Sequence, residues 1–425
     1  MSRLIEQYEY NTKAGSHFEG ADALPDEAPA SYPARYIAYY LPQFHAIPEN
    51  DEAWGPGFTE WTNVTKALPR YAGHHQPRLP ADLGFYDLSL RGTLERQVGL
   101  AKQAGVFGFC LHYYWFSGRT VLETPLRLIL ENSDLDIPFF LNWANENWSR
   151  RWDGSESDII LEQRYEADDP VRFAEALIDV VRDPRYIRIG GRPVIMLYRP
   201  SVVPNLARVL QLWRETFADA SIEPPYLIMP QAFDQEDPAV FGMDAAAGFP
   251  PHKFKEHIPN LRRMISLLDP DYLGNVKSYD QLVELALANR PDGFRYFPAV
   301  CPSWDNEARR ARRSLSFFGA DPHKYGQWLR AATRQAIEGA ANPEEQMVFI
   351  NAWNEWAEGA YLEPDRHFGY AYAAETRRSL DSFAAAQRPP SGISPPHAKP
   401  HLATRVSRLH YPVNRGRELV RKHLG

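Results

Sequence analysis

The chain is 425 residues long, 44% apolar, 24% charged and 13% aromatic, with a net charge of −7. That composition belongs to a folded globular protein, and the length admits one large barrel or two smaller domains. A net negative charge leaves no basic body for phosphate neutralisation, which argues against nucleic acid as a partner. No apolar run is long enough to span a bilayer.

Residues 1–34 are polar and acidic, without the apolar h-region of a secretory signal, and read as an N-terminal extension. Cys110 and Cys301 each sit inside an apolar run, which suits small core thiols better than a disulfide. Together these features predict a cytoplasmic protein.

From residue 35 onward, short apolar runs alternate with stretches of helical period, the pattern of repeated βα units. Strands are predicted over Tyr36–Leu41, Gly108–Tyr114, Pro138–Trp143, Pro193–Tyr198, Tyr226–Met229, Ala245–Gly248, Tyr296–Cys301 and Met347–Ala352. Helices are predicted over Thr93–Ala104, Thr124–Asn132, Val171–Asp183, Asn205–Phe217, Tyr279–Asn289, His323–Glu338 and Tyr370–Ala386. Between the fifth and sixth strands, Pro238–Met243 is too short for a helix. Eight such strands predict a (β/α)8 TIM barrel over 35–387, where an open doubly wound sheet would need fewer. The first βα connection, Pro42–Arg91, is long and reads as a lid or wall over the barrel mouth, and Pro250–Ser278 is a second excursion. Residues 388–400 carry five prolines and form a linker to a basic tail. In that tail Arg405, Arg408, Arg415, Arg417, Arg421 and Lys422 face only Glu418, so 401–425 is a candidate for peripheral contact with an anionic membrane surface.

Active sites of such barrels lie at the C-terminal ends of the strands. Tyr39, Tyr40 and His45 follow the first strand, and His112 and Tyr114 end the second. Asn142, Trp143, Asn145 and Glu146 follow the third, Tyr198 the fourth and Trp304 the seventh. Aromatics, amides and few charges suit a neutral polyol. After the eighth strand comes Asn351-Ala-Trp-Asn-Glu-Trp-Ala-Glu-Gly359, which sets Glu355 and Glu358 among Trp353, Asn354 and Trp356. Indole faces stack on sugar rings, and paired carboxylates in different surroundings are the equipment for glycosidic-bond cleavage. The competing structural roles are a helix-start carboxylate for Glu358 and an ion pair to an arginine such as Arg199 for Glu355.

Other chemistries have little support. The histidines lack metal-ligand spacing, Asp269-Pro270-Asp271 fits a turn, and no Gly-rich phosphate loop occurs, so neither metal nor cofactor is expected.

Four segments taken together, Tyr39-Tyr-Leu-Pro-Gln-Phe-His45, Gly57-Phe-Thr-Glu-Trp61, Asn142-Trp-Ala-Asn-Glu-Asn-Trp148 and Trp353-Asn-Glu-Trp-Ala-Glu-Gly359, resemble the WbsX family. Those proteins are found with lipopolysaccharide O-antigen and capsule biosynthesis, and the likeness extends to glycoside hydrolase family 99. The resemblance implies a (β/α)8 barrel acting on oligosaccharide or polysaccharide and adds Trp61 to the candidate substrate contacts. It also implies roles for the pair. Glu355 would deprotonate a sugar 2-hydroxyl that attacks C1 to give a 1,2-anhydro sugar, and Glu358 would serve as acid and then base. Ala357 stands where the family 99 mannosidases tend to carry His, so their chemistry carries over better than their sugar. The alternatives are a glycosyltransferase of the same pathway and a non-catalytic glycan-binding scaffold that docks to glycosyltransferase partners.

Overall fold

The computed structural model describes residues 2–149, 159–234 and 237–386. The linker and basic tail expected over 388–425 lie outside the described residues. The barrel is built from β1 (Arg35–Tyr40), β2 (Gly108–Phe116), β3 (Phe139–Trp143), β4 (Arg192–Leu197), β5 (Tyr226–Pro230), β6 (Ala245–Ala247), β7 (Arg295–Phe297, continued by Ala299–Val300) and β8 (Met347–Ile350). Neighbours in sequence pair in parallel from β1 to β7. β8 then returns to β1, with Arg35 opposite Met347 and Ala38 opposite Ile350. Pro298, which has no N–H to donate, splits β7: the residues before it pair with β6 and those after it with β8. The split strand thereby closes the ring. This is the (β/α)8 barrel that the eight apolar runs predict, and those runs are apolar throughout because parallel strands are covered on both faces.

The helices are α1 (Ser2–Asn11), α2 (Pro48–Trp54), α3 (Glu60–Val64), α4 (Arg91–Gln103), α5 (Thr124–Glu131), α6 (Asp169–Val181), α7 (Leu206–Asp219), α8 (Tyr279–Ala288), α9 (Glu307–Arg310), α10 (Pro322–Gly339) and α11 (Ala371–Ala386). α7 buries Val209, Leu210, Trp213 and Phe217, one apolar stripe at helical spacing. The Ser278 hydroxyl accepts the Gln281 N–H ahead of α8, and the Asp321 carboxylate accepts the Lys324 N–H ahead of α10. Between β5 and β6 the described residues form only a 3-10 turn, Pro238–Phe241, as a regular element.

Period-two alternation decides which side chains face the barrel axis. On β1, the Tyr36 hydroxyl meets Thr333 of α10 and the Tyr40 hydroxyl donates to Gln97 of α4, so both rings point outward. Tyr39 between them packs inward, its ring 5.5 Å from that of Phe349 on β8. Tyr113, Trp115 and Trp143 pack outward on Phe173 of α6. His112 and Tyr114 are left on the inner face.

The long first connection is a wall. It carries α2 and α3 and buries Glu60, Trp61, Arg70, Tyr71, His74 and Arg78. Arg70 donates to Asp269 at 2.8 Å and to Glu307 at 2.5 Å, tying the wall to the second excursion and to α9. Within Asp269-Pro-Asp271, the Asp271 N–H donates to the Asp269 carboxylate at 3.0 Å, the local turn its composition predicts. The N-terminal extension packs on the barrel: the Asn11 amide donates to the carbonyls of His74 and Gln76, and the Gly15 N–H to that of His367. Cys110 and Cys301 are free and buried. Among the described residues no helix is long and apolar enough to cross a membrane.

Candidate active site

β8 runs straight into a small hairpin. Asn354–Glu355 pairs antiparallel with Ala360–Tyr361 around a 3-10 turn, Trp356–Glu358, that Gly359 closes at φ 60°. A left-handed residue is needed there. A Cβ at position 359 would also lie 2.8 Å from the Arg78 guanidinium, so glycine answers both demands. Arg78 NH1 donates to the Gly359 carbonyl at 3.0 Å and to the Ser303 hydroxyl at 2.7 Å, and the Asp305 N–H donates to the Glu358 carbonyl at 2.6 Å. The Asn354 amide bonds both backbone groups of Leu41, at 2.8 and 2.9 Å. The hairpin is thus pinned to β1, to the first loop and to the segment after β7.

Glu355 and Glu358 both line a cavity of about 200 Å3 at the barrel mouth. One guanidinium joins them: Arg309 of α9 donates from NH2 to Glu355 at 2.9 Å and from NH1 to Glu358 at 2.8 Å. Its Nε and NH2 also reach Glu60 of α3 at 3.3 and 3.2 Å. The ion pair weighed for Glu355 therefore exists, but to Arg309. Arg199 pairs with Glu146 at 2.5 Å. Burial pushes the Glu355 carboxyl well above the usual carboxylate range; Arg309 opposes this, while Glu358 and Glu60 add to it. Burial works against the Arg309 charge, yet Glu355, Glu60 and Glu358 outweigh it and hold the guanidinium above its ordinary value. The indole N–H of Trp304 donates to the second oxygen of Glu358 at 3.2 Å.

Apart from Glu146, which is ion-paired to Arg199, the remaining wall is aromatic and neutral. His112 and His252 are pulled down to about 4 by burial, with Glu358 opposing, so both are uncharged imidazoles at neutral pH. The Tyr39 hydroxyl is buried at the cavity without a protein hydrogen-bond partner. Tyr114 receives the Gln43 amide at 2.7 Å and stacks on Trp148, ring centres 5.5 Å apart. Glu146 and Tyr198 complete the candidates that the fold gathers here.

Other predicted contacts stand elsewhere, for identifiable reasons. Tyr40 and Trp143 face the helices, because alternation turns them outward. Trp356 stacks on Tyr361 at 3.8 Å, and Trp61 packs among Phe44, Tyr86 and Trp356, so these indoles are hairpin core and not a sugar platform. Trp353 is fully buried, with its ring 5.6 Å from Phe109. Asn354 is consumed by Leu41, and Asn145 by the backbone of Arg199 at 2.8 and 2.9 Å. His45 is buried with Asp87 and Glu123 as its charged neighbours, and it does not line the cavity. Asn142 pairs in register with His112 inside the barrel; its amide is buried without a protein partner but does not reach the cavity wall. Arg309 and Glu60 are absent from the predicted contacts, while His252 and Asn351, which also line the cavity, follow the sixth and eighth strands. Glu60 had a signal, its place in the Gly57–Trp61 segment. Arg309 had none, since it sits in Arg309-Arg-Ala-Arg-Arg313, which reads as a solvated charge run. Among the described residues no group of three His, Cys, Asp or Glu is placed to hold a metal ion.

The fold defines a class of protein, the (β/α)8 barrels, and the carboxylate pair stands at the strand ends, where such barrels carry their active sites. The sequence profile of the family described as "Glycosyltransferase WbsX" matches residues 36–376, and the chain belongs to that family. It is 42% identical over 353 residues to the uncharacterised protein WxcX of Xanthomonas campestris pv. campestris, in each of two strains. The match takes in 83% of this chain and 50% of the relative, so the chain spans about half the length of the curated relatives it matches. Among solved structures it is similar to a glycoside hydrolase-like protein, with a TM-score of 0.51 at 14% identity over 86% of this chain and 98% of the other. It is also similar to the glycoside hydrolase family 99 endo-α-mannosidase of Bacteroides thetaiotaomicron, with a TM-score of 0.50 at 15% identity over 84% and 99%. At such identities the likeness concerns the fold.

Proposed function

We propose that this chain is a carbohydrate-active enzyme that works on glycosidic bonds during assembly of a bacterial surface polysaccharide, with Glu355 and Glu358 as its acid/base pair. The observation that carries the reading is the single cavity wall on which both carboxylates meet one guanidinium, amid neutral imidazoles and phenols. The family membership and the barrel shared with family 99 support it.

Burial raises the proton affinity of Glu355, so its ionised form is a strong base. In its ionised form it takes the proton of a sugar 2-hydroxyl. The resulting oxygen attacks C1 from the face opposite the glycosidic bond, and Glu358 gives its proton to the departing oxygen. The product of this half-reaction is a 1,2-anhydro sugar and a free alcohol. Glu358, now a carboxylate, then deprotonates water or an acceptor hydroxyl, which opens the strained ring at C1, and Glu355 returns its proton to O2. Two inversions give net retention, and no covalent bond to the protein forms, unlike the common scheme in which one carboxylate is itself the nucleophile. Arg309 balances the negative charge that moves between the carboxylates.

Because the same turn hands a sugar to water or to a hydroxyl, the second reading is a transferase, favoured by the family's description. Surface glycans offered to the purified chain, with products followed by proton NMR, test both. Hydrolysis or transfer with retained anomeric configuration is expected. Inverted product overturns the anhydro route, and saturable binding of a nucleotide sugar in calorimetry moves the assignment to a transferase with an activated donor.

A further inference from the structure

Glu60 has no part in the bond changes above, yet it is 1% exposed and belongs to the same charged cluster. It opens α3, where its N–H donates to the Gln43 carbonyl, so the first loop fixes it against the strand that carries Tyr39. Its carboxylate takes the Nε edge of Arg309, leaving NH1 for Glu358 and sharing NH2 with Glu355. The planar fork of a guanidinium has fixed donor directions, so an arginine held along one edge presents the other in one orientation. Three carboxylates share this one cation, and burial raises the proton affinity of both Glu355 and Glu60, with Arg309 opposing and Glu358 adding to it.

Several groups face Glu355 and Glu358. Glu355 faces Arg309 from α9, Glu358 from its own turn, Glu60 from α3 and the Tyr114 phenol from β2. Glu358 additionally faces His112 from β2, Tyr198 from β4, His252 from the segment after β6 and the Trp304 indole. Both imidazoles are neutral, as their values of about 4 require. Arg309 and Glu60 are the charges from other elements that act most strongly on Glu355 beside Glu358.

We infer that Glu60 is a positioning residue of the reaction centre: by holding one edge of Arg309 it fixes the guanidinium fork between Glu355 and Glu358 and so sets the charge that Glu355 feels. Glu60 does this in two ways. It draws guanidinium charge away from Glu355, and it adds its own negative charge nearby. The inference rests on the reading of Glu355 and Glu358 as the reacting pair, but its test does not need turnover.

The test is a pH titration of the full chain labelled with 13C at the glutamate carboxyl carbons, with the Glu355 signal assigned by its loss in Glu355→Gln. In Glu60→Gln the Glu355 midpoint falls by about one pH unit, the size of a close like-charge interaction. In Arg309→Gln it rises, and Glu60→Asp, which restores the charge, returns it toward the wild-type value. A Glu355 midpoint unchanged in Glu60→Gln, with the far-UV circular dichroism of the wild type, overturns the inference. Should Arg309→Gln fail to fold, the opposed behaviour of Glu60→Gln and Glu60→Asp decides alone. Where a glycan is turned over, the acidic limb of kcat/KM moves to lower pH in Glu60→Gln, a shift that a merely structural carboxylate would not produce. If no glycan is turned over, the functional reading falls while the titration still stands or fails by itself.

Discussion

Glu355 and Glu363 occupy the two flanks of one hairpin, and both are buried carboxylates with raised proton affinity, yet their surroundings differ in kind. Glu355 meets a cation, two further carboxylates and a cavity. Glu363 meets neutral donors, the Trp356 indole at 2.7 Å, the Tyr86 hydroxyl at 2.8 Å and the Gln97 amide at 2.6 Å, with the Trp353 indole beside them. Burial pushes Glu363 up to about 7, against the pull of those hydrogen bonds. It does not line the cavity. A carboxylate inside an aromatic box is thus no guide to chemistry by itself; access to a ligand-sized space and a counter-charge that can follow a moving proton separate the two. Glu363 instead fastens Trp356 to the first loop and to α4, which orients the turn that Glu355 and Glu358 share.

The widest expected separation is in turnover. Glu355→Gln and Glu358→Gln should each lower kcat by about a thousandfold, the usual scale for losing a general acid or base, with unfolding midpoints close to wild type. Glu363→Gln should retain substantial kcat, and near-wild-type activity in either of the first two variants breaks the comparison.

Stability against pH should separate them next. In the folded chain Glu363 keeps its proton up to about pH 7, whereas in the unfolded chain it releases it near the ordinary glutamate value of about 4.3. Between those values the folded state binds more protons, so the stability that Glu363 contributes is complete below the lower value and is lost as pH rises through the upper one. The full span is on the order of 3 kcal/mol. Thermal melts at pH 5 and pH 8 should show a smaller fall for Glu363→Gln than for wild type; equal falls would mean that Glu363 does not hold the proton.

Smaller effects follow from the supports of the turn. Gly359→Ala places a methyl group against the Arg78 guanidinium in a left-handed backbone and should cost about 1–2 kcal/mol in denaturant melts, with a parallel loss of kcat because Glu358 immediately precedes it. Tyr40→Phe removes the outward hydrogen bond to Gln97 and should cost about 1 kcal/mol while leaving kcat/KM unchanged; a large rise in KM would return Tyr40 to the substrate contacts.

Much of this architecture was readable from the chain. The eight strand runs and the helices between them follow from apolar periodicity, and the lack of a helix between β5 and β6 follows from the brevity of Pro238–Met243. The proposed acid/base pair stood out because Glu355 and Glu358 follow an apolar run and share a dense motif. The choice among aromatics was harder. Tyr39 and Tyr40 are adjacent and chemically alike, and only pairing in the closed barrel turns one inward and the other toward α4.

Local pattern by itself therefore determined the barrel, the strand ends and the two glutamates, since each is written in residues close together in the chain. What the tertiary structure alone decided is the charge environment of that pair. Arg309 is brought by the segment after β7 and Glu60 by the loop after β1, and nothing near either in sequence distinguishes Arg309 from Arg310, Arg312 or Arg313. Electrostatic partners act through space, and their distances are set only when distant loops meet over the barrel mouth.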